Sequence, residues 1–391
     1  MKEFVPNDYP TVGVEQEFHL IDATTGELAP CVDKVLENIS ERMRSSVCYE
    51  LFHSVLEHNS AVFRTVDDLV ENVAEARREL GEACAKVGAA LVAAGSHAFS
   101  DWRAQSIVES DHYKWVAREC VYSARRMVAF GLHVHVGMQS AESAMYTMYE
   151  MRKWIYPLLA LSANSPYFEG QTTGLASTRT HLFGSMPRTH VPPEFEDMDE
   201  LDAFYKKLVA CGDVTAPGDL WWSIRPQPPL GTVELRVFDL PTDIRRIGAL
   251  AAITQAAMAM YQDKFNAGAE RTELNPEYIL QNRWKAMRHG LDGKILDPAT
   301  GEVVPMREQL ERLLDSISPK AEELGSTSHI DYASVMLEEG NEAEWQIRTC
   351  EKLGGDLRAL ELDIAKQTLG QERLGTIEQT TREMPGETHK S

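Results

Sequence analysis

The 391-residue chain lacks the features that tie a protein to a membrane or an oxidising compartment. No apolar run approaches the roughly 18–20 residues that a bilayer-crossing helix needs. The first residues, MKEFVPNDYP, have no apolar signal segment and no cleavage site. The six cysteines (Cys31, Cys48, Cys84, Cys120, Cys211 and Cys350) are scattered and form no CxxC pair. That spacing argues against a disulfide framework and against a thiolate zinc site. A cytoplasmic protein with free thiols is expected. Positive charge is also scarce, with Lys+Arg 39 against Asp+Glu 60 and a net charge of -21. General binding to nucleic acid or to an anionic membrane needs a positive field, so neither is expected as a partner. A nucleotide is still allowed, because divalent cations invert the field of a carboxylate-rich site.

What is present is an ordinary globular composition, 43% hydrophobic and 25% charged, with enough chain for a large core. Apolar alternation predicts strands at residues 11–22, 130–138, 219–226 and 232–239, with an extended segment over 47–58. Helical spacing predicts helices at 67–95, 111–128, 141–163, 198–211, 243–265, 276–289, 306–317 and 341–368. GKILDPATGEVV reads as a hairpin. Residues 164–193 are rich in Gly, Ser, Thr and Pro but carry Tyr167, Phe168 and Phe183, which suits an ordered functional loop. The mixture of strands, short turns and long helices predicts an α+β fold.

Three strands repeat one pattern. In GVEQEFHL, Glu15, Glu17 and His19 share a face, with Val14, Gln16, Phe18 and Leu20 behind them. In GLHVHVGM, His133 and His135 share a face backed by Leu132, Val134 and Val136. In TVELRVFD, Glu234 and Arg236 share a face with Thr232 and Phe238, backed by Val233, Leu235 and Val237. Each pattern alone has a bland reading: a solvated face, satisfied core histidines, or an arginine neutralising its neighbour. Together they allow a carboxylate–imidazole–guanidinium surface on one antiparallel sheet. Carboxylates with one or two imidazoles suit Mg²⁺ or Mn²⁺ better than zinc. Glu50 and Glu57 are seven apart, so in a regular strand they face opposite sides. Both reach one site only if a bulge or turn intervenes.

GVEQEFHLID, ELFHSVLE, GSHAFSDW, GLHVHVG, LLALSANSPYFEGQTTGLASTR, WWSIRP, TVELRVFD and NRWKAMRHGLDG together resemble glutamate–cysteine ligase family 2, the YbdK-type carboxylate–amine ligases. The likeness runs in order over residues 11–295 and is loose beyond them. It implies the glutamine synthetase-like fold, a curved antiparallel sheet forming a funnel with helices outside. It implies one catalytic domain over residues 1–375 with a helical C-terminal part; the polar composition of the last residues predicts a disordered tail at 376–391. By matching motifs it implies metal ligands at Glu15, Glu17, Glu50, Glu57, His133 and Glu234. His135 and Arg236 would meet the nucleotide phosphates. Arg179 would contact the substrate carboxylate or the transferred phosphoryl group, and Arg225 carries a weaker match of the same kind. The implied activity is ATP-dependent, ADP-forming amide synthesis from a small carboxylic acid and an amine, with Mg²⁺ or Mn²⁺ and γ-glutamylcysteine as one candidate product. A homo-oligomer, dimer or larger, is the assembly expected from the resemblance. The alternatives are a metal-dependent hydrolase, a phosphotransferase and a non-catalytic nucleotide-binding homologue. Two departures from the family stand out: Gln16 where a third glutamate is usual, and Ala98 where GSHPF has proline.

Overall fold

A computed structural model describes residues 3–370; the expected disordered tail at 376–391 lies outside them. Eleven strands are present among the described residues: β1 (Val12–Asp22), β2 (Val47–Tyr49), β3 (Val55–Asn59), β4 (Ala89–Val92), β5 (Gly131–Gly137), β6 (Tyr167–Phe168), β7 (Gln171–Thr172), β8 (Ile224–Gln227), β9 (Thr232–Asp239), β10 (Lys294–Leu296) and β11 (Val303–Pro305). Seven build one antiparallel sheet in the order β2-β3-β1-β5-β9-β8, with β4 pairing the last part of β1. β6–β7 and the expected β10–β11 hairpin are small separate ribbons.

One face of this sheet is a hydrophobic seat. Val14, Phe18 and Leu20 of β1, Leu132, Val134 and Val136 of β5, and Val233 and Leu235 of β9 are all within 1% of fully buried. They join the main core, to which the helices Val66–Lys86, Ala141–Met151 and Ile244–Asn266 contribute. The last is alanine-rich, which lets it lie close to its neighbours. The other sheet face carries the polar side chains and is roofed in part by a smaller core containing Phe52, Val116, Phe130, Phe168 and Met186.

Several expected boundaries move, each for a local reason. The helix expected over 67–95 stops at Lys86, because Gly88 takes φ +75° and Ala89–Val92 gains more by pairing with β1. The segment 141–163 is two helices, Ala141–Met151 and Ile155–Ser162. The segment 341–368 divides into Glu342–Lys352 and Leu357–Thr368 around Gly354 and Gly355, both at positive φ. A further helix, Thr327–Glu339, was not expected, and Met306–Glu323 runs longer than expected despite Pro319. The strand expected from residue 219 begins only at Ile224. All six cysteines are free.

Gln16 lies on the hydrophobic side, as alternation requires. Its Oε1 accepts from Arg77 Nε at 3.1 Å and its Nε2 lies 3.2 Å from His58 Nδ1. Arg77 is buried and donates its remaining nitrogens to the carbonyls of Thr242 (2.5 Å) and Pro241 (2.8 Å). No described helix is long and apolar enough to cross a membrane.

Candidate active site

The strand register brings the polar pairs into adjacent rungs. Glu15 stands opposite His133, Glu17 opposite Glu57, His135 opposite Glu234, and Glu234 opposite Arg225. The 47–58 segment is two strands, β2 and β3, joined by a turn that contains Glu50. The turn resolves the odd seven-residue spacing, since Glu50 and Glu57 now line the same cavity.

One expectation about β9 fails. Leu132 pairs with Phe238 while Val134 pairs with Leu235, so β9 carries an extra residue between them. This β-bulge turns Phe238 to the hydrophobic face, where it is fully buried in the main core rather than beside Glu234. It also frees the carbonyls of Arg236 and Val237. Arg179, on the helix Thr178–Phe183, donates to both at 3.2 and 3.3 Å. Gly131 makes the space, because a Cβ there would sit 2.1 Å from Arg179 Nη2. The Gly131 amide in turn donates to Glu17 Oε2 at 2.5 Å.

The loop that carries Arg179 is ordered by a buried carboxylate, Asp239. Its oxygens accept from the Asn164 amide (2.8 Å), Ser165 Oγ (2.6 Å) and Ser177 Oγ (2.8 Å). Asn164 bonds onward to the Leu240 carbonyl and receives Gln346 Nε2 from the C-terminal helices. Among the described residues, the C-terminal helices brace the site's loop and do not line the cavity.

Among the described residues two groups of potential metal ligands result: Glu15, His133 and Glu234, and beside them Glu17, Glu50 and Glu57. In each group the ligand atoms lie within 4.8 Å of one another. Glu15 accepts from His133 Nδ1 (2.7 Å) and His135 Nε2 (3.1 Å). Burial opposes ionisation of Glu15, but these hydrogen bonds prevail and hold it below the usual carboxylate range. Glu234 is fully buried and bonded by Arg225 Nε (2.7 Å), Gln227 Nε2 (2.6 Å) and Arg236. Burial would raise its pKa, yet Arg225 and Arg236 hold it well below normal.

Two carboxylates of the second group, Glu50 and Glu57, shift the opposite way. Burial and the Glu17 charge push Glu50 up to about 7, and burial with Glu15, Glu50 and Glu17 raises Glu57 well above normal. Carboxylates crowded this way need either protons or a cation. His133 adds a second sign. It is buried, and its Nε2 has no hydrogen-bond partner while standing 3.4 Å from Glu17 Oε1. An orphaned imidazole nitrogen among crowded oxygens fits a hard divalent ion better than it fits an empty protein interior.

Arg225 and Arg236 border the carboxylates from the far side. Arg225 also donates to the carbonyls of Gly218 and Leu220. Arg236 Nη1 lies 3.3 Å from His133 Nδ1. Together with Arg179 they line a cavity of about 340 Å³ that opens over the carboxylate rungs. His135 is on the same face but at the other end of the strands, bonded to Thr232 Oγ1 at 3.1 Å and outside the cavity lining.

Comparison with known proteins gives the family and the fold. The sequence model of glutamate-cysteine ligase family 2 (GCS2) matches residues 11–375. The chain belongs to this family. The GCS2 match extends past residue 295 through the C-terminal helices, where the motif likeness was loose. A relative from Rubrobacter xylanophilus, provisionally named glutamate–cysteine ligase 2-1, is 36% identical over 88% of this chain and 91% of its own length. One from Thermobifida fusca, provisionally named glutamate–cysteine ligase 2, is 32% identical over 91% of this chain and 90% of its own. Among solved structures, a glutamate–cysteine ligase from Francisella tularensis in complex with AMP superposes with a TM-score of 0.70 at 13% identity, covering 94% of this chain and 90% of that one. The ligase PafA in complex with the ubiquitin-like protein Pup superposes at 0.55 and 13% identity, covering 94% and 78%. At these identities the superpositions establish the glutamine synthetase-like fold.

Motif reasoning overlooked the opposite wall of the cavity, which includes Phe52, Val116, Met127, Met186 and Trp221. Only the paired tryptophans of DLWWSIRP hinted at it: Trp222 is buried in the main core, while Trp221 faces the cavity.

Proposed function

We propose that this GCS2 member is an ATP-dependent carboxylate–amine ligase that releases ADP and phosphate. The observation that carries the reading is the pair of three-ligand groups on one sheet face, flanked by Arg179, Arg225 and Arg236. The family supports it, and the AMP held by the Francisella tularensis neighbour supports nucleotide use. The catalytic unit is taken as residues 1–375.

In this reading Glu15, His133 and Glu234 hold one Mg²⁺ or Mn²⁺, and Glu17, Glu50 and Glu57 hold another. When bound, such ions neutralise phosphate charge and align in-line transfer. A substrate carboxylate oxygen attacks the γ-phosphorus of ATP, and the bond to the ADP oxygen breaks, leaving an acyl phosphate. The amine nitrogen then attacks the acyl carbon, phosphate departs, and the nitrogen loses a proton. His135 and Arg236 meet the nucleotide phosphates. Arg225 fixes Glu234 and completes the positive edge. Arg179 supports charge on the transferring group or the carboxylate, since guanidinium forks suit both sets of oxygens. The chemistry needs positioning and electrostatics, with no protein nucleophile.

The test is product analysis with Mg²⁺ or Mn²⁺ and a broad panel of acids and amines, glutamate with cysteine included. ADP, phosphate and a new amide in equal amounts, formed only when acid and amine are both present, are expected. Hydrolysis without ATP would make the protein a hydrolase, and ADP with a stable phosphorylated acid would make it a phosphotransferase.

A further inference from the structure

The cavity is two-sided. Its floor is the charged sheet face, and its opposite wall is built by Phe52, Val116, Met127, Phe183, Met186 and Trp221. Away from the sheet and the Glu50 turn, the ionisable side chains of the lining are Arg179, His112 and Tyr113. Arg179 is engaged with the bulge carbonyls, and Tyr113 donates its hydroxyl to the Tyr49 carbonyl at 2.9 Å. His112 is half-exposed at the mouth, 3.9 Å from Asp219 Oδ1. Among the described residues that line it, this wall adds no Lys, Asp or Glu to match the ammonium and second carboxylate of an amino-acid head, and Arg188, outside the lining, is taken up in stacking over the Trp221 ring and donating to the Asp219 carbonyl.

We propose that the carboxylic acid used by this chain has an apolar body, alkyl or aryl, which seats against this wall while its single carboxylate meets the charged floor. The inference rests on the ligase reading above and specifies its substrate class. Burying an unmatched charged head would cost several kcal/mol, whereas an apolar body gains roughly 25 cal/mol for each Å² removed from water. The wall is on the acid's side of the site rather than the nucleotide's. It adjoins Glu50 and Arg179, while His135 and Thr232 stand at the opposite end of the strands. A volume of about 340 Å³ suits a compact acid of this kind.

Calorimetric binding tests this in the presence of Mg²⁺ and a non-hydrolysable ATP analogue, with 3-phenylpropanoate, hexanoate and glutamate as probes. The two apolar acids should bind at least tenfold more tightly than glutamate. Met127→Glu and Trp221→Lys, both at half-buried positions, should each weaken the apolar acids at least tenfold and leave the Kd of the nucleotide analogue within twofold. Glutamate binding as tightly as the apolar acids overturns the inference. So does a loss of nucleotide rather than acid affinity in the variants, which would make the wall an adenine site. If the analogue does not bind the wild type at all, the ligase reading itself falls; if it binds and glutamate is preferred, only the substrate class falls.

Discussion

The two faces of β1 bury polar groups by opposite rules. On the hydrophobic face, Gln16, Arg77 and His58 satisfy one another and two backbone carbonyls, a closed network inside the core. On the front face, Glu15 and Glu17 stand among like charges, with Glu50 and Glu57 raised in pKa and His133 Nε2 orphaned. A buried network that satisfies itself holds a fold together, and one that does not is waiting for a ligand. Gln16, in place of the usual glutamate, falls on the closed side and leaves the front-face carboxylates where they stand.

The largest effect that could break this contrast is on the open side. Glu234→Gln and Glu17→Ala should each lower kcat about a thousandfold or more, given the scale of lost electrostatic stabilisation at such sites. Circular dichroism should show both variants folded; near-normal turnover in either would remove the metal assignment. On the closed side, Arg77→Met should leave kcat of the folded protein unchanged. It should lower unfolding free energy by about 3 kcal/mol in urea titration, because Gln16 and two carbonyls lose their donor.

A smaller effect is expected at Ala98. Its amide donates to Oε1 of buried Glu361 at 2.6 Å, a bond that the usual proline could not make. Ala98→Pro should cost about 1–3 kcal/mol in the same titration. The neighbouring His97 sharpens the comparison through pH. Its Nδ1 accepts from the amides of Phe99 (3.2 Å) and Ser100 (3.0 Å), while Nε2 meets the Gly26 carbonyl at 2.9 Å. The ring is therefore neutral with its proton on Nε2, and burial lowers its pKa. A depressed folded pKa contributes stability above the unfolded value of about 6.5, and that stability is lost as pH falls through the folded value. The contribution of His97 should shrink from pH 7.5 to 5.5, so the stability gap between wild type and His97→Asn should be smaller at pH 5.5 in denaturation curves taken at both values.

Alternation along β1, β5 and β9 was enough to read Glu15, Glu17, His133, His135, Glu234 and Arg236 onto one face, since period-2 patterning survives in a half-buried strand. Glu50 and Glu57 were legible only through motif likeness, because the turn between β2 and β3 has no pattern of its own. The β9 bulge was invisible: TVELRVFD alternates normally to Val237, and only pairing with β5 shows that Phe238 has crossed over. The helix overrun through Gly88 has the same root, since Ala89–Val92 is helix-like in isolation and a strand only beside β1. The apolar cavity wall was hidden because its residues come from separate segments, each of which reads as ordinary core.

The two-metal reading of the front face is tested most directly by counting Mn²⁺ per chain by electron paramagnetic resonance, with a non-hydrolysable ATP analogue present. The account predicts two ions in the wild type and one in Glu57→Gln. One ion or none in the wild type, or two retained in the variant, would contradict it.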